Sequence, residues 1–153
     1  MWPVVIVLLV IAMAVGPVML MQPSKAQKRL AALRQEATKL GLTVGASPVK
    51  APDGIVCWAY WLSMAEKNIH EPVMLERKNY EHGLHIAQYW SVKQGDSADL
   101  PTSVAEMLML LPSSVHMLEV NEHAIGAHWS EQGGIKVLTE IAKTLRSIET
   151  KVS

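Results

Sequence analysis

The first 21 residues form one apolar segment without a charged side chain. Residues 2–21 number 20, and apart from Gly16 and two prolines all of them are hydrophobic. At a rise of about 1.5 Å per residue, a helix of this length spans about 30 Å, the thickness of a bilayer's hydrocarbon core. The pattern predicts a single-pass transmembrane anchor over residues 1–23.

A cleaved secretory signal peptide is the alternative interpretation of this segment. Such a signal has a basic region before its apolar core and a small-x-small cleavage site after it. No Lys or Arg precedes the apolar run, and the small-x-small match, Ala12-Met13-Ala14, lies inside it. The pattern therefore favours a retained anchor.

A second pattern, with apolar residues at helical spacing among basic ones, covers residues 24–41. Ser24 can cap a helix that begins at Lys25 and stops at Gly41. Its apolar positions fall on one helix face: Ala26, Leu30, Leu33, Ala37 and Leu40. The pattern allows two interpretations. In the first, the helix sets the membrane topology and its apolar stripe packs on the following domain; in the second, the helix lies on anionic lipid headgroups, and the two are compatible. The predicted membrane-surface contacts are Lys25, Lys28, Arg29 and Arg34.

Residues 42–153 combine strand-like and helix-like periodicity, which predicts one α+β domain. The Pro- and Gly-containing stretch 46–54 is predicted as a linker, and the apolar, aromatic stretch 55–64 as a central strand. Further strands are predicted at 73–80, 84–92, 115–121 and 124–130, with a turn at 81–83. Because strands joined by short turns pair antiparallel, we expect an antiparallel sheet of about five strands.

Two helices complete the predicted domain. Ser103 and Glu106 match a capping box at the start of a short helix, which Pro112 must end. A longer C-terminal helix follows Gly133-Gly134 and is predicted to pack on the sheet. Its apolar stripe consists of Leu138, Ile141, Ala142, Leu145 and Ile148.

Charge is distributed unevenly, although the formal net charge is zero. Residues 1–24 carry no charge, residues 25–39 carry five basic and one acidic side chain, and the remainder carries 9 basic and 13 acidic ones. Basic residues flank membrane spans on the cytoplasmic side. The anchor is therefore predicted to lie in a bacterial inner membrane, with the N-terminus outside and the C-terminal domain in the cytoplasm. The acidic body would repel phosphate, so nucleic acid is not an expected partner.

The junction between the two patterns resembles a known family. The carrying residues are Gln22, Pro23, Gln27, Lys28 and Arg29, and they are similar to the start of the auxiliary preprotein translocase subunit YajC. The resemblance covers about the first 40 residues and implies an accessory role at the translocase. That family continues into a short Gly-rich β domain, whereas this chain continues into a longer Trp-containing one. The layout is also similar to uncharacterised bacterial single-pass inner-membrane proteins, which imply no activity.

No motif indicates catalysis, a metal or a cofactor. The single cysteine, Cys57, excludes an internal disulfide and a Cys-based zinc cluster. A nucleophile elbow, a phosphate-binding glycine loop and a zinc framework are all missing from the sequence. A metal site would need three histidines to converge from His82, His85, His116, His123 and His128. We therefore predict no catalytic residue, no metal ligand and no cofactor.

Aromatic residues of the central strand are the candidate partner-binding residues. Trp58 and Trp61 lie an odd number of positions apart, so they face opposite sides of the sheet. Two helices cover about one face of a five-stranded sheet. We expect sheet curvature and the basic helix to share the second face and to leave a residual apolar patch for a partner. That face carries either Trp58, Tyr60 and Leu62 or Trp61, so the candidate partner-binding residues are Trp58, Tyr60 and Trp61.

Together these patterns predict a membrane-tethered protein-interaction module at the cytoplasmic face of the inner membrane. Its expected partners are the lipid bilayer and a membrane protein. The alternatives are an accessory subunit of the preprotein translocase, and a membrane-bound enzyme that uses His and Glu side chains.

Overall fold

The computed structural model describes residues 1–65, 71–80, 86–96, 98 and 100–152, with the side chains of α1 described as far as Val18. They belong to two compact units, Met1–Ala32 and Leu33–Ser153. The helices are α1 (Trp2–Leu20), α2 (Lys25–Lys39), α3 (Ser103–Leu110) and α4 (Gly134–Val152). The strands are β1 (Leu42–Lys50), β2 (Val56–Ser63), β3 (Val73–Arg77), β4 (Trp90–Gln94), β5 (Val115–Val120) and β6 (Ala124–Trp129).

Helix α1 forms where the apolar segment was predicted to be helical, but the predicted transmembrane anchor is wrong. Among the described residues, no helix is both long enough and apolar enough to cross a membrane. The single-pass, inner-membrane location and the orientation derived from it are corrected accordingly.

Helix α2 begins at the predicted cap. The backbone N–H of Gln27 donates to Ser24 Oγ at 3.2 Å, and the N–H of Ser24 donates to Gln27 Oε1 at 2.8 Å. This reciprocal capping box satisfies two N–H groups that a helix start otherwise leaves unpaired. Farther along, Leu33 and Ala37 are buried, and Gly41 adopts a positive φ of 77° after the helix end. The predicted start and stop of this helix are confirmed.

The sheet has six strands, in the order β1-β2-β6-β5-β3-β4, and every pairing is antiparallel. The α+β class and the antiparallel sheet are therefore confirmed, whereas the expected count of five omitted β1. The second half of β1 was assigned to the linker 46–54 because that stretch contains Pro48, Pro52 and Asp53-Gly54. Pro48 has no N–H to donate, and it lies where the β1–β2 register shifts between Ala46 and Lys50, so no ladder bond is lost.

Helices α3 and α4 lie on one face of the sheet, here called the helix face. One row of this face crosses all six strands: Val44, Tyr60, Ala127, Leu118, Leu75 and Val92. The indole N–H of Trp90 donates to the Leu108 carbonyl of α3 at 3.1 Å. All five apolar residues of the predicted α4 stripe are buried. The core thus lies between the sheet and its helices, and the predicted C-terminal helix is confirmed.

The opposite face, here called the open face, is covered in part by the bending of β1. Ala59 and His128 are paired in register on this face. Ser47 lies within the register shift of β1, and its hydroxyl oxygen contacts His128 two strands away. Cys57 and Ala59 are buried as a result. Curvature of the sheet therefore covers much of a face that the helices do not reach.

The middle of the chain departs from the predicted pattern. The capping box at Ser103 does not form, because Thr102 occupies the N-cap position and makes no side-chain cap hydrogen bond. Strand β3 was expected to be more exposed, but it lies between β5 and β4, and its Val73 and Leu75 are fully buried. Strand β4 begins at Trp90 rather than at residue 84. The predicted turn at 81–83 lies outside the described residues.

Candidate functional site

The three aromatic residues predicted to bind a partner do not share one surface. Tyr60 is completely buried on the helix face. Trp58 is half-buried on the same face, and the guanidinium carbon of Arg34 lies 3.8 Å from the centroid of its ring. Trp61 is half-buried on the open face, 5.9 Å from the ring of His128 in an edge-on arrangement. Tyr60 and Trp58 therefore contact other residues of the protein on the helix face, and the sheet lies between them and Trp61.

Arg34 belongs to an internal cluster with Glu131 and Tyr60. Its Nε and Nη2 donate to the two carboxylate oxygens of Glu131 at 3.0 and 3.1 Å. The hydroxyl of Tyr60 donates to the same carboxylate at 2.7 Å. The hydrogen bond from Arg34 to Glu131 raises the pKa of Arg34. The pKa of Tyr60 is also raised, mainly by burial and next by its own hydrogen bond to Glu131. This cluster fixes the second half of α2 to the segment that joins β6 to α4.

The other three predicted membrane-surface residues lie in the first unit. Lys25, Lys28 and Arg29 are exposed. They follow α1 directly along the chain, and residues 1–32 contain no acidic side chain. The four basic residues that the helical pattern grouped together are therefore divided. Three are exposed cations, whereas the fourth forms a bidentate ion pair within the second unit.

The open face holds a chain of hydrogen bonds that sequence reasoning missed. The N–H of Val49 donates to Ser47 Oγ at 3.0 Å, and that oxygen lies 2.7 Å from His128 Nδ1. The other ring nitrogen, Nε2, lies 3.6 Å from a carboxylate oxygen of Glu119. No local signal predicts this set, since its members come from β1, β5 and β6.

Ser47, His128 and Glu119 are the residue types of a nucleophilic triad, but their surroundings do not suit that chemistry. His128 is 2% exposed, and its Nε2 is buried without a hydrogen-bond partner. Burial, together with the positive charge of Lys93, lowers the pKa of His128 to about 4. A general base is most effective with a pKa near the working pH. The hydrogen bonds from Val49 through Ser47 to His128 therefore form an internal polar connection between β1 and β6.

Metal ligation finds no support in the described residues. In that part of the chain no group of three His, Cys, Asp or Glu side chains is placed to hold an ion. His82 and His85, two of the histidines considered for convergence, lie outside it. His116 is half-buried on β5, and burial is the main cause that lowers its pKa. The prediction of no metal and no cofactor stays a prediction.

The largest exposed apolar surface described is α1 itself. Every side chain from Trp2 to Val18 is exposed, and all of them are uncharged. Soluble monomers rarely expose contiguous apolar patches larger than a few hundred Å². A helix that is apolar on all sides is usually buried on all sides. With the exposed cations Lys25, Lys28 and Arg29 after it, α1 is the strongest candidate for an interaction site.

No family model, curated protein or solved structure matches this chain. The resemblance of the segment around Lys28 to YajC therefore stays a prediction based on a few residues.

Proposed function

We propose that this chain is a protein-interaction module that binds another protein through α1. The observation that supports the proposal is the uninterrupted exposure of uncharged, apolar side chains from Trp2 to Val18. The second unit supplies a folded α+β domain on the same chain. The proposal assigns no catalytic step to the protein.

The magnitude of apolar burial indicates how much of α1 the partner must cover. Complete burial of a Val, Leu or Ile side chain contributes about 1.5–3 kcal/mol. Association costs roughly 4–15 kcal/mol in lost freedom of motion. Two or three side chains would contribute about 3–9 kcal/mol, which offsets only the lower part of this cost. Stable binding is therefore expected from a groove that covers several turns of the helix.

The charge of the first unit defines the chemistry of the partner further. Lys25, Lys28 and Arg29 are exposed and have no acidic neighbour within residues 1–32. A complementary surface thus has an apolar groove with acidic side chains at one end. Such a rim raises the association rate and selects among partners more than it raises affinity.

Photo-crosslinking in cells tests this proposal. A photoreactive residue replaces Leu9 in α1 of the full chain, and a matched control carries it at Lys143, an exposed position on α4. We expect discrete protein adducts from position 9 that are absent from position 143. Charge reversal at Lys28 and Arg29 should reduce their yield. Adducts to lipid alone at position 9, or the same adducts at both positions, would overturn the proposal.

A further inference from the structure

The apolar surface of α1 runs around the whole circumference of the helix. Successive residues of an α-helix are turned by about 100° about its axis, so four consecutive residues sample every side. Val7, Leu8, Leu9 and Val10 are such a set, and their exposed fractions lie between 54% and 61%. In residues 3–18 no side chain carries a charge, a hydroxyl or an amide. No side of α1 is therefore suited to face water once a partner is bound.

Helix α4 of the same chain shows the pattern of a helix that has one covered side. Its apolar stripe is buried, as at Ile141 and Leu145, whereas Lys143 between them is exposed. A division between an apolar and a charged side is typical of a helix that packs along one stripe. Helix α1 has no charged side to leave in water, so a groove along one side of it does not match its surface.

The area of this surface leads to the same conclusion. Twelve large apolar side chains between Trp2 and Val18 are exposed. Burying each removes roughly 60–120 Å² from water, which gives roughly 700–1,400 Å² for the helix. A groove over half of the circumference would leave roughly 350–700 Å² in water, which reaches or exceeds the largest apolar patch of a typical soluble monomer, about 300–600 Å². A site that closes around α1 leaves no such patch.

Charge determines which end of α1 lies at the mouth of such a site. Lys25, Lys28 and Arg29 are exposed directly after α1, and no side chain of residues 1–24 is charged. Placing a cation in an apolar site without a paired anion is costly. The end of α1 nearest Lys25 therefore lies at the mouth, where acidic side chains complement the cations, and Trp2 lies deepest.

We propose that the partner of α1 is a protein with a closed apolar channel, which surrounds the helix on every side and carries acidic side chains at its mouth. This inference rests on the proposed function and specifies the shape of the site that receives α1. An open groove on the partner, a lipid surface and further copies of this chain are the alternatives, and crosslinking from each side of the helix separates them.

Four full-length proteins carry one photoreactive residue each, at Val7, Leu8, Leu9 or Val10, and a fifth carries it at Lys143. In cells, we expect all four α1 positions to give adducts with the same protein, identified by mass spectrometry, in yields within about 3-fold of one another, because every side of the helix is covered. Adducts from only one or two of these positions would overturn the channel but leave binding through α1 intact. Adducts between copies of this chain would also overturn the channel. Adducts to lipid alone, or none, would overturn both proposals.

Two matched substitutions give a second measurement of the same geometry. Val5 and Val7 lie on opposite sides of α1, about 200° apart, and Val and Asn have similar helix propensities. In a closed channel, Val5→Asn and Val7→Asn should each reduce the adduct yield from a probe at Met13 by about 10-fold, because each buries an amide without a partner. Lys143→Asn, on the exposed side of α4, should leave the yield unchanged. A loss in only one of the two α1 variants would overturn the channel.

Discussion

Arg34 and Glu131 are 97 positions apart in the chain, yet they form a bidentate ion pair with contacts of 3.0 and 3.1 Å. The carboxylate is nearly buried, since 7% of the Glu131 side chain is exposed, and it also accepts from Tyr60. Glu131 has a positive φ of 58°, which is uncommon for a residue with a side chain. Its three polar contacts compensate for this strained conformation.

Removing the Glu131 charge should destabilise the second unit. Glu131→Gln leaves Arg34 without its counter-ion, and breaking a buried pair costs about 3–5 kcal/mol. Because a third of the Arg34 side chain is exposed, we expect a loss nearer 2–3 kcal/mol in the free energy of unfolding, measured with urea. The matched control is Glu36→Gln, which breaks the exposed pair with Lys39 and should cost less than about 1 kcal/mol. Equal losses would contradict a structural role for the buried pair.

Stability should fall in mild acid because of His128. Its pKa is about 4 in the folded protein and about 6.5 when unfolded, so the unfolded state binds more protons between these values. The contribution of His128 is complete above pH 6.5 and is lost as the pH falls towards 4. Urea unfolding should show a loss of about 2 kcal/mol between pH 7.5 and pH 5.

The variant His128→Asn provides the control for this pH dependence. It keeps an acceptor near Ser47 but does not titrate, so its stability should depend less on pH over the same range. The groups facing His128 are Ser47, Glu119, Lys93 and the Trp61 ring. Burial raises the pKa of Glu119, which acts in the opposite direction and reduces the net slope. An unchanged slope in His128→Asn would assign the acid sensitivity to other groups, such as His116.

The contact between Gly126 and Trp61 should make one glycine much less replaceable than another. A Cβ atom at Gly126 would lie 2.6 Å from Cε3 and Cζ3 of the Trp61 ring, whereas one at Gly45 meets Trp61 Nε1 at 3.9 Å. Gly126→Ala should therefore cost about 1–3 kcal/mol through overpacking, and Gly45→Ala less than about 0.5 kcal/mol. Thermal unfolding of both variants provides the comparison. The cost at Gly126 should shrink in a Trp61→Leu background, because the ring is what must move.

Cys57 should react slowly with thiol reagents in the folded protein. It is fully buried, and burial raises its pKa, so both access and thiolate content are low. We expect Ellman's reagent to label it at least about 100-fold more slowly than in urea, because labelling needs local opening. A Cys57→Ser, Ser147→Cys protein places the thiol on the exposed side of α4 and should react at once. If the folded wild-type protein and this folded variant were labelled at comparable rates, the burial of Cys57 would be contradicted.

Several elements of the fold were predictable because their signals are local. The stripe from Leu138 to Ile148 repeats at helical spacing, and the pair β5 and β6 has a polar turn between two apolar runs. Ser24 and Gln27 lie three residues apart, as a capping box requires. Strand β1 was missed because Pro48, Pro52 and Asp53-Gly54 are typical of linkers and turns. What makes it a strand is its pairing with β2, for example Val44 with Tyr60, which no local pattern contains.

The candidate sites divide in the same way. The apolar, uncharged character of α1 and the basic residues after it are properties of consecutive positions, so the amino-acid sequence alone reveals them. The contacts of Arg34 with Glu131 and of Ser47 with His128 join residues from distant segments. Their positions depend on strand order and register, which arise from burying many apolar side chains together. Local periodicity therefore sets which segments are helices and strands, while long-range packing determines which polar side chains meet.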